Sequence, residues 1–144
     1  MSSDLRAAIH RAATVTFKAY SRKGLREGVP KTSEGDPVSV AIEFTGPRKG
    51  RVEVNIWEDA LGDLAASMFD QRVPPPFSDQ LDAIREVTNV IAGNVVTSLD
   101  STSLFSLGLP KVQEDGPIAE VDPSAVAEFA LGSGRVSVRL FIES

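Results

Sequence analysis

The residues that could do chemistry lie on one face of a long helix predicted between Ser78 and Asp100. On a wheel of about 100° per residue they form a stripe about 80° wide. This polar stripe consists of Asp82, Glu86, Asn89, Gly93 and Val96. Two acids, an amide and a glycine make an unusual set, since Lys or Glu would serve an ordinary solvent-facing helix surface better.

Two of these residues weaken the helix that carries them. Gly93 costs about 1 kcal/mol relative to alanine in a helix interior, so another interaction should offset it. The side chain of Asn89 competes for backbone hydrogen bonds and is also a poor choice in mid-helix. Close approach of another backbone is the usual explanation for such a glycine. A plain polar face with an interhelical contact at Gly93 is therefore the alternative to a functional site.

The residue types elsewhere exclude several classes of catalytic site. Without cysteine there is no disulfide, no thiolate nucleophile and no cysteine-based zinc or iron–sulfur centre. Because His10 is the single histidine, no pair of histidines could bind a metal, and a Ser–His–Asp triad would have to use this residue. We expect His10 to be a surface or partly packed helix residue without a catalytic role.

Charge and hydropathy narrow the class of partner. The formal net charge is -5, whereas nucleic-acid binding requires an excess of Lys and Arg, so we expect no nucleic-acid partner. Positive charge is concentrated in a basic cluster that we interpret as a solvated loop: Arg22, Lys23, Arg26 and Lys31. No apolar run approaches the roughly 20 residues of a membrane span, and no signal peptide is recognisable. We therefore expect a cytoplasmic protein with no membrane contact.

Hydrophobic periodicity predicts three helices and two β-hairpins. The predicted helices span residues 4–21, 58–70 and 78–99. The predicted strand pairs span residues 38–45 with 52–57, and 125–131 with 136–142. Asp4 is a candidate N-cap of the first helix, and Ser78 or Asp79 of the third. Residues 22–36 lack periodicity and contain several glycines, which predicts a mobile loop.

The order of these elements predicts an α/β (α+β) fold with a mainly antiparallel sheet and helices packed on one side. A helix followed by two strands occurs twice, which suggests a doubled αββ arrangement. With 144 residues, 42% of them hydrophobic, the chain suits a single domain over residues 1–144. In the long helix a core stripe lies opposite the polar stripe and consists of Leu81, Ile84, Thr88, Ile91, Val95 and Leu99.

The long helix resembles the signature helix of the CheC/CheX/FliY chemotaxis phosphatases. That signature has an Asp or Ser, a Glu four residues later and an Asn three residues after the Glu, then a small Ala-Gly step and a more distant proline. The matching residues are Asp82, Glu86, Asn89, Ala92-Gly93 and Pro110. The resemblance extends over about residues 37–140 and implies a CheC-like fold.

Within this family, CheC-type members carry two such helices and CheX-type members keep one active copy. Aligning the first helix with the long helix places Arg11 opposite Glu86 and Thr14 opposite Asn89, so the first helix lacks the pair. The chain therefore resembles the CheX type. CheX-type members form dimers across sheet edges, so the resemblance implies a homodimer.

The resemblance also implies an activity, the hydrolysis of the aspartyl phosphate on a phosphorylated CheY-like response regulator in chemotaxis or related two-component signalling. It assigns the orientation of the attacking water to Asn89 and contact with the regulator's lysine to Glu86. Asp82 and Gly93 would lie at the partner-binding surface. The regulator would supply the lysine and the phosphate pocket, so no cofactor is expected on this chain, and Mg²⁺ is expected in the partner receiver.

Two alternatives to a phosphatase stay open at this point. One is a non-catalytic module of the same fold that binds a receiver or a flagellar-switch-like partner. The other is a scaffold subunit whose Glu–Asn face is buried in an oligomer. Burial of Glu86 and Asn89 against their own chain would count against both the phosphatase and the receiver-binding module.

Overall fold

Three helices pack on one face of a seven-stranded sheet in the computed structural model, which describes residues 2–30, 35–100 and 104–143. The helices are α1 (Ser2–Tyr20), α2 (Glu58–Met68) and α3 (Phe77–Leu99). The strands are β1 (Leu25–Glu27), β2 (Val38–Thr45), β3 (Gly50–Ile56), β4 (Ser106–Leu107), β5 (Lys111–Val112), β6 (Ala125–Leu131) and β7 (Gly134–Ile142).

The sheet joins the two predicted hairpins along their inner strands. The strand order is β1-β6-β7-β3-β2-β4, β5 also pairs with β2, and every pairing is antiparallel. At the centre β3 pairs with β7, with Val54 opposite Val138. The mainly antiparallel sheet and the packed helices confirm the predicted fold class.

The rotation of α3 about its axis follows from its apolar face. Ile84, Thr88, Ile91 and Val95 of the predicted core stripe are buried, and the Thr88 hydroxyl donates to the carbonyl of Ile84 at 2.7 Å. Ala83, Val87 and Ala92 are buried as well. Burial is wider than the stripe because α1 and α2 both pack against α3 in addition to the sheet. The face that carries Asp82, Glu86 and Asn89 is thereby turned away from the sheet.

The structure does not place an N-cap at either predicted position, Asp4 for α1 or Ser78 or Asp79 for α3. Because α1 begins at Ser2, Asp4 lies inside its first turn. The residue preceding α3 is Pro76, and no side chain caps that end, so the caps predicted at Ser78 or Asp79 are wrong. The carbonyl of Pro76 accepts hydrogen bonds from the backbone N–H groups of Asp79 and Gln80 instead. The helix therefore begins directly after the run of prolines at residues 74–76.

The predicted loop over residues 22–36 contains a strand, β1, which pairs with β6. The basic cluster in this segment is also more than a solvated loop. Arg22 donates to Ser67 and to the carbonyl of Gln71, Lys23 pairs with Asp63 at 2.9 Å, and Arg26 donates to the carbonyl of Gly132 at 2.6 Å. These bonds tie the segment to α2 and to the β6–β7 turn. Lys31 lies outside the described residues, and the mobility of the loop stays a prediction.

The proline-rich connector between α2 and α3 runs beside α2. Pro74 Cγ lies 3.0 Å from the point where a Cβ on Gly62 would stand. The missing side chain at Gly62 therefore makes room for the connector. The connector therefore packs on α2 immediately before α3 begins at Phe77.

A buried carboxylate lies on the sheet face away from the helices. Glu53 on β3 is fully buried, and its oxygens accept hydrogen bonds at 2.9 Å from Arg139, Asn55, Gln113 and the backbone N–H of Ile118. The guanidinium of Arg139 also donates to the carbonyl of Ile118 at 2.9 Å. Since Gln113 and Ile118 follow β5, the carboxylate and its donors hold that segment against the sheet.

We expect the variant Glu53→Ala to lose about 3–5 kcal/mol in free energy of unfolding, because Arg139 then keeps a mostly buried charge without its partner. Urea unfolding measures this loss. The matched control is Glu43→Ala, which removes an exposed acid from the neighbouring strand and should change the free energy by less than about 0.5 kcal/mol. Equal losses in the two variants would contradict this account of the buried carboxylate.

Candidate functional site

The exposed face of α3 brings together four of the five residues of the polar stripe. Asp82, Glu86 and Asn89 are exposed, and Gly93 is half-buried one turn beyond Asn89. Val96 is only 6% exposed and belongs to the apolar core, so its placement on the exposed stripe is wrong. The candidate site therefore runs from Asp82 to Gly93.

Glu86 and Asn89 are the two members of the site with free functional groups. Within the described part of the chain, neither side chain has a hydrogen-bond or ion-pair partner. Their spacing of three residues places their Cβ atoms about 5–6 Å apart on the helix surface. One small partner site can therefore reach the carboxylate and the amide together. Burial of both side chains against their own chain would have counted against a receiver-directed role, and both are exposed instead.

Gly93 leaves open space rather than a packing contact. A Cβ at this position would meet no atom within 4 Å among the described residues, apart from its chain neighbours and its own helix backbone. The interhelical contact considered from the sequence is therefore not found there. Because Gly93 is four residues after Asn89, the missing side chain keeps the surface beside the amide clear.

Asp82 has a partner on its own helix, which the sequence reasoning did not identify. Its Oδ1 atom accepts a hydrogen bond from Nη1 of Arg85 at 3.0 Å. The two side chains are 68% and 39% exposed, respectively, so the pair lies at the protein surface. An acid three residues before an arginine on a helix predicts this pair, and that spacing could have revealed it.

The equivalent face of α1 carries a different set of side chains. Arg11 and Thr14, which align with Glu86 and Asn89, are both exposed. The hydroxyl of Thr14 donates to the carbonyl of His10 at 2.8 Å and is thus bonded to its own helix. The α1 face therefore has neither the free carboxylate nor the free amide.

His10 is partly packed, as predicted. Its ring centroid lies 5.2 Å from that of Phe129, and its Nε2 atom is 3.8 Å from a carboxylate oxygen of Glu27. The pKa of Glu27 is lowered, chiefly by the hydrogen bond from Arg6 and then by the charge of His10. These contacts connect α1 to β1 and lie outside the candidate site.

One groove among the described residues lies away from the candidate site. This groove of about 840 Å³ opens beside the turn between β2 and β3 and the end of β7. Its lining includes Ile118, Val121 and Phe141. It includes none of the site residues, which lie on an exposed helix face. Across the described ranges no three acidic or histidine side chains gather as a possible metal site, and none of the described helices has the length and apolarity of a membrane span.

Comparisons with known proteins match both the sequence and the fold. The family model described as "Chemotaxis phosphatase CheX" matches residues 38–131, which include α3. No curated protein sequence matches the chain.

Solved structures share the fold at low sequence identity. The chemotaxis protein CheX from Desulfovibrio desulfuricans is 23% identical, with 96% of this chain and 99% of that chain covered and a TM-score of 0.77. CheX from Vibrio vulnificus is 16% identical, with 99% of this chain and 99% of that chain covered and a TM-score of 0.78. The matching chain in the CheX-CheY-BeF3-Mg²⁺ complex from Borrelia burgdorferi is 18% identical, with 96% of this chain and 97% of that chain covered and a TM-score of 0.72.

We expect Gly93→Ala to raise the free energy of unfolding by about 0.5–1 kcal/mol, because alanine is the better helix residue and its Cβ meets open space. Gly62→Ala is the control, since its Cβ would stand 3.0 Å from Pro74 and should give a smaller gain or a loss. Urea unfolding compares the two variants. A loss of stability in Gly93→Ala would show that another surface packs on this glycine.

Proposed function

Because the chain belongs to the CheX family of chemotaxis phosphatases, we propose that it accelerates hydrolysis of the aspartyl phosphate on a CheY-like response regulator. The observation that carries this proposal is the free carboxylate of Glu86 beside the free amide of Asn89 on a well-packed helix. The solved complex of CheX with CheY from Borrelia burgdorferi supports a CheY-like partner.

In the proposed reaction Asn89 orients the attacking water. An amide accepts a hydrogen bond through its oxygen and donates through its nitrogen, so it can hold a water in line with the bond to be broken. The water oxygen forms a bond to phosphorus while the bond from phosphorus to the aspartyl oxygen breaks. The aspartate leaves as a carboxylate, and both protons of the water leave with the phosphate.

Glu86 supplies the charged contact with the receiver. In the proposal its carboxylate pairs with the receiver's active-site lysine and places Asn89 at the phosphoryl group. No cation on α3 competes, because the residues three and four positions from Glu86 are Asp82, Ala83, Asn89 and Val90. Mg²⁺ is expected in the receiver, where it would neutralise phosphoryl charge, and the proposal requires no metal ligand from this chain.

Two further predictions concern the state of the protein, the first implied by the family resemblance and the second by the sequence pattern. We propose that it acts as a homodimer and that it resides in the cytoplasm. The outer strands of the described sheet are short, with three residues in β1 and two each in β4 and β5. Dimer formation across a sheet edge would therefore extend a short strand.

Replacing Asn89 tests the water-orienting step. We expect Asn89→Ala to reduce the accelerated phosphate release by about 100-fold, because the water loses its orientation while the fold is unchanged. The measurement is phosphate release from the phosphorylated receiver, with and without the protein. Asn94→Ala is the matched control, since it makes the same change on α3 away from the stripe and should retain activity.

Two results would contradict the phosphatase. One is full acceleration by Asn89→Ala. The other is a wild-type protein that binds its phosphorylated receivers without accelerating phosphate loss, which would favour the non-catalytic receiver-binding module.

Replacing Glu86 tests the charged contact. We expect Glu86→Ala to weaken receiver binding at least about tenfold and to lower the rate as well, because the receiver's lysine loses its partner. Binding is measured by titration with the phosphorylated receiver, and Glu58→Ala, at an exposed acid of α2, serves as the control. Unchanged affinity in Glu86→Ala would remove the lysine contact from the proposal.

A further inference from the structure

We propose that Asp82 is a positioning residue that holds the guanidinium of Arg85 away from Asn89 and so keeps the Asn89 amide free. This inference rests on the proposed phosphatase function. It differs from a direct contact between Asp82 and the receiver, which the sequence suggested, because it makes the partner of Asp82 a residue of the same helix.

The helix leaves Arg85 two polar neighbours. The residues three and four positions away are Leu81, Asp82, Thr88 and Asn89. Leu81 has no polar group, and Thr88 is buried with its hydroxyl bonded to the carbonyl of Ile84. Arg85 can therefore reach Asp82 toward the N-terminus or Asn89 toward the C-terminus.

The structure shows Arg85 paired toward the N-terminus. Its Nη1 atom lies 3.0 Å from Oδ1 of Asp82, whereas Asn89 has no side-chain partner among the described residues. A carboxylate is the stronger acceptor for a guanidinium than an amide oxygen. An acid on the N-terminal side of a base is also the favoured orientation on a helix. Both effects bias Arg85 away from Asn89.

Without Asp82 the bias is lost. A guanidinium has five N–H donors and no acceptor, so its remaining polar neighbour on the helix is the amide oxygen of Asn89. That oxygen is the atom that would accept a hydrogen bond from the attacking water. Arg85 would then compete with the water for it. The other side of Asn89 offers no such competitor, because Gly93 has no side chain.

A double-mutant cycle on the full chain tests this role. We expect Asp82→Ala to lower kcat for receiver dephosphorylation about twofold with little change in KM, since an exposed pair at this spacing biases side-chain populations by about that factor. Arg85→Ala should have nearly wild-type kcat. The double variant Asp82→Ala/Arg85→Ala should recover the wild-type value, because the competitor is gone. Asp79→Ala, at another acid of α3, is the control and should leave kcat unchanged.

A second measurement needs no receiver. The side-chain amide NMR signals of Asn89 in the free protein should shift in Asp82→Ala and return toward their wild-type positions in the double variant. The signals of Asn94 should stay in place in both. The variant Asn89→Ala assigns the signals.

The outcomes separate this inference from the proposed function. If Asp82 contacts the receiver directly, Asp82→Ala raises KM and the double variant does not recover, which overturns the inference. Unshifted Asn89 amide signals in Asp82→Ala overturn it as well. If Asn89→Ala leaves phosphate release unchanged, the proposed function fails instead, whereas the NMR result still reports whether Arg85 reaches Asn89.

Discussion

The packing of α3 on the sheet is the constraint on which the candidate site depends. Ile84, Ile91 and Val95 are fully buried, and α1 and α2 pack against the same helix, so its rotation about its axis is set. A rotation by one residue position, about 100°, would move apolar side chains into water at about 1.5–3 kcal/mol each. Glu86 and Asn89 are therefore held outward by residues on the opposite side of the helix, and this packing orients both side chains although neither has a hydrogen-bond partner among the described residues.

The site combines weak helix residues with few local contacts, and this suits a surface that works on a protein partner. Gly93 and Asn89 both lower helix stability, yet the structure shows no packing contact at Gly93 that offsets its cost. The core of α3 supplies the stability instead. An exposed face with one carboxylate and one amide would need a partner to complete a reaction, which agrees with the proposed receiver substrate and its own phosphate pocket.

The longer elements could be predicted from the sequence, and the shorter ones could not. Alternation over seven or more residues identifies β2, β3, β6 and β7 because the period of two repeats several times. The strands β1, β4 and β5 have two or three residues each, too few for a period to appear. Their formation depends on pairing with β6 or β2, which lie far away in the sequence. The start of α3 at Phe77 carries no capping side chain that the sequence could reveal, because the backbone carbonyl of Pro76 accepts the hydrogen bonds there.

The candidate site divides in the same way. The residue types of Asp82, Glu86 and Asn89, and their common helix face, follow from the sequence because helical spacing is a local property. Whether a side chain on that face is buried, paired or free depends on what packs beside it. Val96 is buried because it joins the core formed by other elements, whereas Gly93 faces open space because none of the described elements covers it. The folded chain alone shows which members of the stripe a partner can reach, since that access is set by neighbours distant in sequence.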